Sequence, residues 1–130
     1  MARVFSQGEG KKLGLPGRES LEIISGEVGA RSVTLRLATI PISQPGDNLR
    51  RPHQHWDFEE CIYVLAGTGV TLAESGDFNL RPGDTILIPP GERHMTQNTG
   101  RVPLQLLCFF PVANISPGTE ELGVPAGKKS

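Results

Sequence analysis

Apolar residues recur along this chain in short runs, some alternating with polar residues and some unbroken, and each run stops at a glycine, a proline or a small polar cluster. The pattern predicts strands at residues 21–25, 31–40, 51–56, 60–67 and 69–74, then at 77–80, 84–89, 93–98 and 103–110. Ser75-Gly76 has the chemistry of a two-residue hairpin turn, and the tetrads RPGD at 81–84 and PPGE at 89–92 read as turns. No window of helical length keeps a 3.6-residue period. Many short strands with regular turns predict an all-β sandwich or barrel.

Two strands are apolar on both faces. In residues 60–67, Ile62 and Val64 alternate with Cys61, Tyr63 and Leu65; in the last strand, Leu104, Leu106, Cys108 and Phe110 alternate with Gln105, Leu107 and Phe109. A strand of this kind is covered on both sides, and in a small barrel the second cover is another subunit. A homodimer is therefore expected.

At 130 residues the chain suits one domain. Its division is expected to be an N-terminal arm at 1–20, a barrel at 21–112 and a C-terminal tail at 113–130, because both ends are polar and weakly periodic. Thirteen Lys and Arg face fourteen Asp and Glu, for a net charge of -1 and no long run of one sign. No footprint for nucleic acid or an anionic membrane is present, so small molecules or proteins are the expected ligands. No apolar stretch has the length of a signal peptide or a membrane helix, which points to the cytoplasm. The two cysteines, Cys61 and Cys108, lie in apolar runs at a spacing that fits no disulfide framework, and read as buried free thiols.

The chain has three histidines. His53 and His55 stand two apart in an extended segment, so their imidazoles share a face roughly 7 Å apart and can converge on one point. Glu59 and Glu60 open the next strand, and His94 follows a Pro-Pro-Gly turn. Three imidazoles and a carboxylate suit a divalent Fe, Mn, Ni, Co or Zn ion and leave two positions of an octahedron for water or substrate. Strand parity alone does not choose between Glu59 and Glu60, since both faces are largely apolar.

The stretch PHQHWDFEECIYVLAG resembles the first motif of the cupin superfamily: a histidine pair, a glutamate, then six residues to a glycine. GDTILIPPGERHMTQN, residues 83–98, resembles the second motif at Gly83, Pro89, Gly91, His94 and Asn98. The resemblance implies a single-domain jelly-roll β-barrel, also called a double-stranded β-helix, with His53, His55, Glu60 and His94 as metal ligands. The six-residue count to Gly67 favours Glu60, leaving Glu59 to solvent.

Three further residues are expected near the site. Trp56 and Phe58, just after the histidine pair, line the mouth of a substrate pocket or cap the barrel end. Arg36 alternates with Leu35 and Leu37: facing inward it would bind a substrate carboxylate, facing outward it is a solvated arginine. Single-barrel cupins with this ligand set include dioxygenases, isomerases, lyases and decarboxylases, so the resemblance implies a metal-dependent enzyme with dioxygenase-type chemistry foremost. The alternatives are non-redox turnover of a sugar or organic acid, or a sensor barrel that binds a small ligand without catalysis.

Overall fold

The structure is a computed structural model, and it describes residues 1–44, 53–55, 57–115 and 119–121. Eleven strands are assigned among these residues. They are β1 (Lys11–Leu13), β2 (Glu19–Ile24), β3 (Thr34–Ile40), β4 (His53–His55), β5 (Glu60–Ala66) and β6 (Gly69–Ala73), then β7 (Gly76–Leu80), β8 (Thr85–Ile88), β9 (His94–Asn98), β10 (Leu104–Phe110) and β11 (Thr119–Glu121). Every apolar run of the sequence carries one of them. Strand pairing is antiparallel throughout, in a six-stranded sheet of order β1-β2-β3-β10-β5-β8 and a five-stranded sheet of order β11-β4-β9-β6-β7. This is the expected jelly roll.

The register shows how the barrel sorts its side chains. Across the six-stranded sheet, Glu22, Arg36, Cys108, Ile62 and Ile86 are successive cross-strand neighbours, and so are Leu21, Leu37, Leu107, Tyr63 and Thr85. Because neighbours on a pleated sheet share a face, the first row points into the barrel and the other points outward. The core lies on the inner side, where Ile62, Val64, Ile88, Leu104, Leu106 and Phe110 are buried. Each such side chain contributes about 1.5–3 kcal/mol relative to exposure.

Two turns explain the glycines of the motifs. Gly67 has φ +82, and a Cβ there would meet the Pro103 carbonyl oxygen at 2.7 Å and the Leu104 Cα at 2.9 Å, so only glycine fits between β5 and β10. Gly91, also at φ +82, donates its amide to the His55 carbonyl at 2.6 Å. The Pro-Pro-Gly turn is thereby pinned to the strand that carries the histidine pair.

The ends of the chain take a larger part than the arm-and-tail expectation. β1 and the start of β2 lie before residue 21 and extend the six-stranded sheet, while β11 lies in the expected tail and pairs with β4 along His53, Gln54 and His55. Three-residue strands such as Lys11-Lys12-Leu13 and Thr119-Glu120-Glu121 carry little apolar signal, and pairing supplies what the pattern lacks. Cys108 is buried as expected, but Cys61 is only half-buried on the outer face; both thiols are free.

Candidate metal centre

Three strand ends meet at one place. His55 closes β4, Glu60 opens β5 and His94 opens β9, and all three are buried. The parity left open in the sequence is decided here: Glu60 is 4 % exposed, whereas Glu59 faces solvent. His53 lies in β4 and is the direct cross-strand partner of His94. Its backbone position is consistent with the paired-histidine motif. Trp56 lies outside the described residues.

The donor atoms face one another. Nε2 of His55 and Nε2 of His94 lie 3.1 Å and 3.0 Å from the same oxygen, Oε1 of Glu60, and the three donor atoms all fall within 4.8 Å. Neighbouring ligands on an ion with bonds of about 2.1 Å stand about 3 Å apart, so these spacings suit a first coordination shell.

The tautomer of His94 sharpens the fit. Its Nδ1 lies 3.0 Å from the Glu92 carbonyl oxygen, which only accepts, so Nδ1 carries a proton and donates it. In a neutral ring Nε2 is then a bare lone pair aimed at a carboxylate oxygen. That contact repels unless a proton or a metal cation lies between the two atoms. Burial opposes charge on His94, but the hydrogen bond and charge of Glu60, with the carbonyl and charge of Glu92, outweigh it and raise its pKa. A proton on Nε2 would occupy the position that a metal cation takes. The buried His55, Glu60 and His94 group can therefore bind a metal ion.

Aromatic rings hold the ligands in place. Phe58 stacks on His55 with centroids 4.9 Å apart, and Phe110 meets both rings edge-on, at 5.3 Å from His55 and 6.1 Å from Phe58. Phe58 thus belongs to the buried core and packs on the His55 ring. Its chain position, three residues from His55, allowed both the pocket-mouth and the barrel-end alternative.

Arg36 faces inward, against the solvated alternative. Its Nε and Nη2 donate to Oε2 of Glu22, each at 2.9 Å, and its Cζ lies 5.7 Å from the Phe110 centroid. Cys108, its cross-strand neighbour, lies beside the site: burial pushes its thiol pKa well up, and the charge of Glu60 adds to this. Glu22, Cys108 and Phe110 were not anticipated. The signal for Glu22 was present, because it alternates with Leu21 and Ile23 as Arg36 does with its own neighbours, but pairing two alternations requires the register.

The comparisons decide the family. Residues 42–110, just over half of the chain, match the cupin domain. The chain belongs to the cupin superfamily.

Among curated relatives, this cupin is 43 % identical over 56 residues to an uncharacterized protein of Methanocaldococcus jannaschii, covering 43 % of this chain and 45 % of that one. It is 33 % identical over 58 residues to an oxalate-binding protein of Thermotoga maritima, covering 45 % and 48 %. The matches span about half the length of these relatives. Among solved structures, the Streptomyces nucleoside dehydratase Pac13 superposes with TM-score 0.77 at 13 % identity, covering 95 % of this chain and 93 % of that one. Bacillus subtilis oxalate decarboxylase gives 0.73 at 20 % identity, covering 89 % and 31 %. These two likenesses establish the fold.

Proposed function

We propose that this cupin is a divalent-metal-dependent enzyme acting on a small oxygen-bearing molecule, with His53, His55, Glu60 and His94 as the ligands. The observation that carries the reading is the pair of imidazole nitrogens converging on one buried carboxylate oxygen, with His94 held in the tautomer that leaves Nε2 to a cation. His53 joins the set through its motif position and its pairing with His94. Bound Fe, Mn, Ni, Co or Zn would act as a Lewis acid toward an oxygen of the substrate, and Fe or Mn would in addition supply redox chemistry with dioxygen.

The chain's own contribution is to hold and shield. Phe58 and Phe110 fix the ring of His55, the Glu92 carbonyl fixes the tautomer of His94, and the Cys108 thiol beside Glu60 stays neutral. Dioxygenase-type chemistry on bound Fe or Mn is the leading reading. The inward Glu22–Arg36 pair favours a second reading, non-redox decarboxylation or lyase chemistry on an organic acid, in line with the oxalate-handling proteins among the similar ones. A barrel that only binds its ligand is the third.

Metal analysis of wild type and His94→Ala tests the ligand set: near-stoichiometric divalent metal is expected in the first and a large loss in the second, and equal contents would overturn the assignment. Oxygen uptake by the Fe- and Mn-loaded protein across phenols and organic acids then separates the reactions. Turnover without uptake moves the reading to the lyase class, and tight binding without turnover to the sensor.

The remaining readings follow from the surface. The outward row of the six-stranded sheet would be covered by a second copy in a homodimer. Two free thiols, one facing in and one out, are compatible with a reducing cytoplasmic compartment, and no helix among the described residues is long and apolar enough to cross a membrane.

A further inference from the structure

Arg36 is placed on the inner wall with only part of its donor capacity used. Nε and Nη2 both point at a single oxygen of Glu22. A guanidinium has a second two-donor edge, between Nη1 and Nη2, and among the described residues nothing is bonded to that edge. The Arg36 side chain as a whole is 18 % exposed.

That edge is close to the ligand cluster. The Arg36 Cζ is 5.7 Å from the Phe110 centroid and the Phe110 centroid is 5.3 Å from that of His55, so guanidinium and imidazole are separated by at most about 11 Å.

We propose that Arg36, oriented by Glu22, binds the distal carboxylate of a short-chain acid whose other, oxygen-bearing end lies at the metal ligands. This rests on the metal-centre reading above and adds the substrate class. The free Nη1/Nη2 edge matches a carboxylate in the parallel two-bond geometry. Glu22 acts as a positioning residue: it holds the guanidinium side-on and leaves the end-on edge to the ligand. Oxalate can occupy a metal ion with both of its carboxylates, so its binding serves as the control.

Isothermal titration of succinate and of oxalate into Mn-loaded protein tests this, with the metal content of each preparation measured separately. Arg36→Gln should weaken succinate binding at least tenfold and leave oxalate binding and metal content within twofold. Glu22→Gln should weaken succinate binding less than Arg36→Gln does, because the guanidinium is kept but loses the partner that orients it. Equal loss of succinate and oxalate binding in both variants would mark a purely structural ion pair and overturn the proposal. The double variant Glu22→Gln/Arg36→Gln removes the two charges together, avoids a lone buried carboxylate, and should bind succinate as weakly as Arg36→Gln. Equal succinate affinity in wild type and the double variant would overturn the proposal, as would failure of wild type to bind succinate at millimolar concentration; both leave the metal assignment intact. A wild type without metal overturns that assignment alone, and Arg36-dependent succinate binding by the metal-free protein would still support the anion site.

Discussion

The two faces of the six-stranded sheet each depart locally from the usual distribution of polarity. Inside, the row Glu22, Arg36, Cys108 and Ile62 brings an ion pair and a thiol into the barrel, one step from Glu60. Outside, the neighbouring row Leu21, Leu37, Leu107 and Tyr63 is apolar, and beside it Tyr63, Leu65 and Leu87 are 42 %, 45 % and 58 % exposed. Burying charge costs free energy and exposing apolar surface forgoes it, so neither arrangement serves the stability of an isolated barrel. Under the proposed function the inner polarity would serve a ligand and the outer apolarity a second copy of the chain.

Substitutions on the two faces of β5 test that contrast most strongly at the site itself. Glu60→Ala removes the oxygen that both imidazoles address and should abolish near-stoichiometric metal binding in elemental analysis, while Glu59→Ala one residue away should leave it unchanged. Equal effects would mean that the faces are not distinct. Next in size is the core: Ile62, 3 % exposed, should lose about 2–4 kcal/mol of stability as Ile62→Ala in denaturant unfolding.

On the outer face, Leu87→Lys should alter the unfolding free energy of the monomer by about 0.5 kcal/mol or less. The same change should shift sedimentation from dimer to monomer. A wild type that already sediments as a monomer at high concentration would break the outer half of the comparison.

The smallest effect is expected from pH. His94 has a raised pKa when no metal is bound, so its protonated form stabilises the metal-free fold fully below the unfolded value of about 6.5, and that contribution is lost as pH rises through the folded value. The groups facing it are Glu60, His55 and the Glu92 carbonyl. Metal competes with the proton on Nε2, so metal affinity should rise over the same interval while metal-free stability falls. Thermal melts of metal-free protein and metal titrations across that range check the opposite slopes. Parallel slopes would show that the proton and the metal do not share the atom.

Much of the site was legible because its residues are local in sequence. His55 and Glu60 are five residues apart, and His94 follows a turn whose Pro-Pro-Gly chemistry is unmistakable. The strands were legible for the same reason, since each apolar run carries its own period. The strands β1 and β11 were not: three residues offer too little alternation, and only pairing to β2 and β4 defines them. Arg36 was ambiguous because its strand has apolar residues on both faces, and Phe58 because a turn residue has no periodic partner.

The sequence by itself determined the fold class, the positions of nine strands and the types of the metal donors, because short-range alternation, turn residues and motif spacing are properties of adjacent positions. Only the tertiary structure decided which of Glu59 and Glu60 is buried, on which side Arg36 lies and what it meets there. Those outcomes depend on register between strands far apart in the chain, and a shift of one residue would have reversed every one of them.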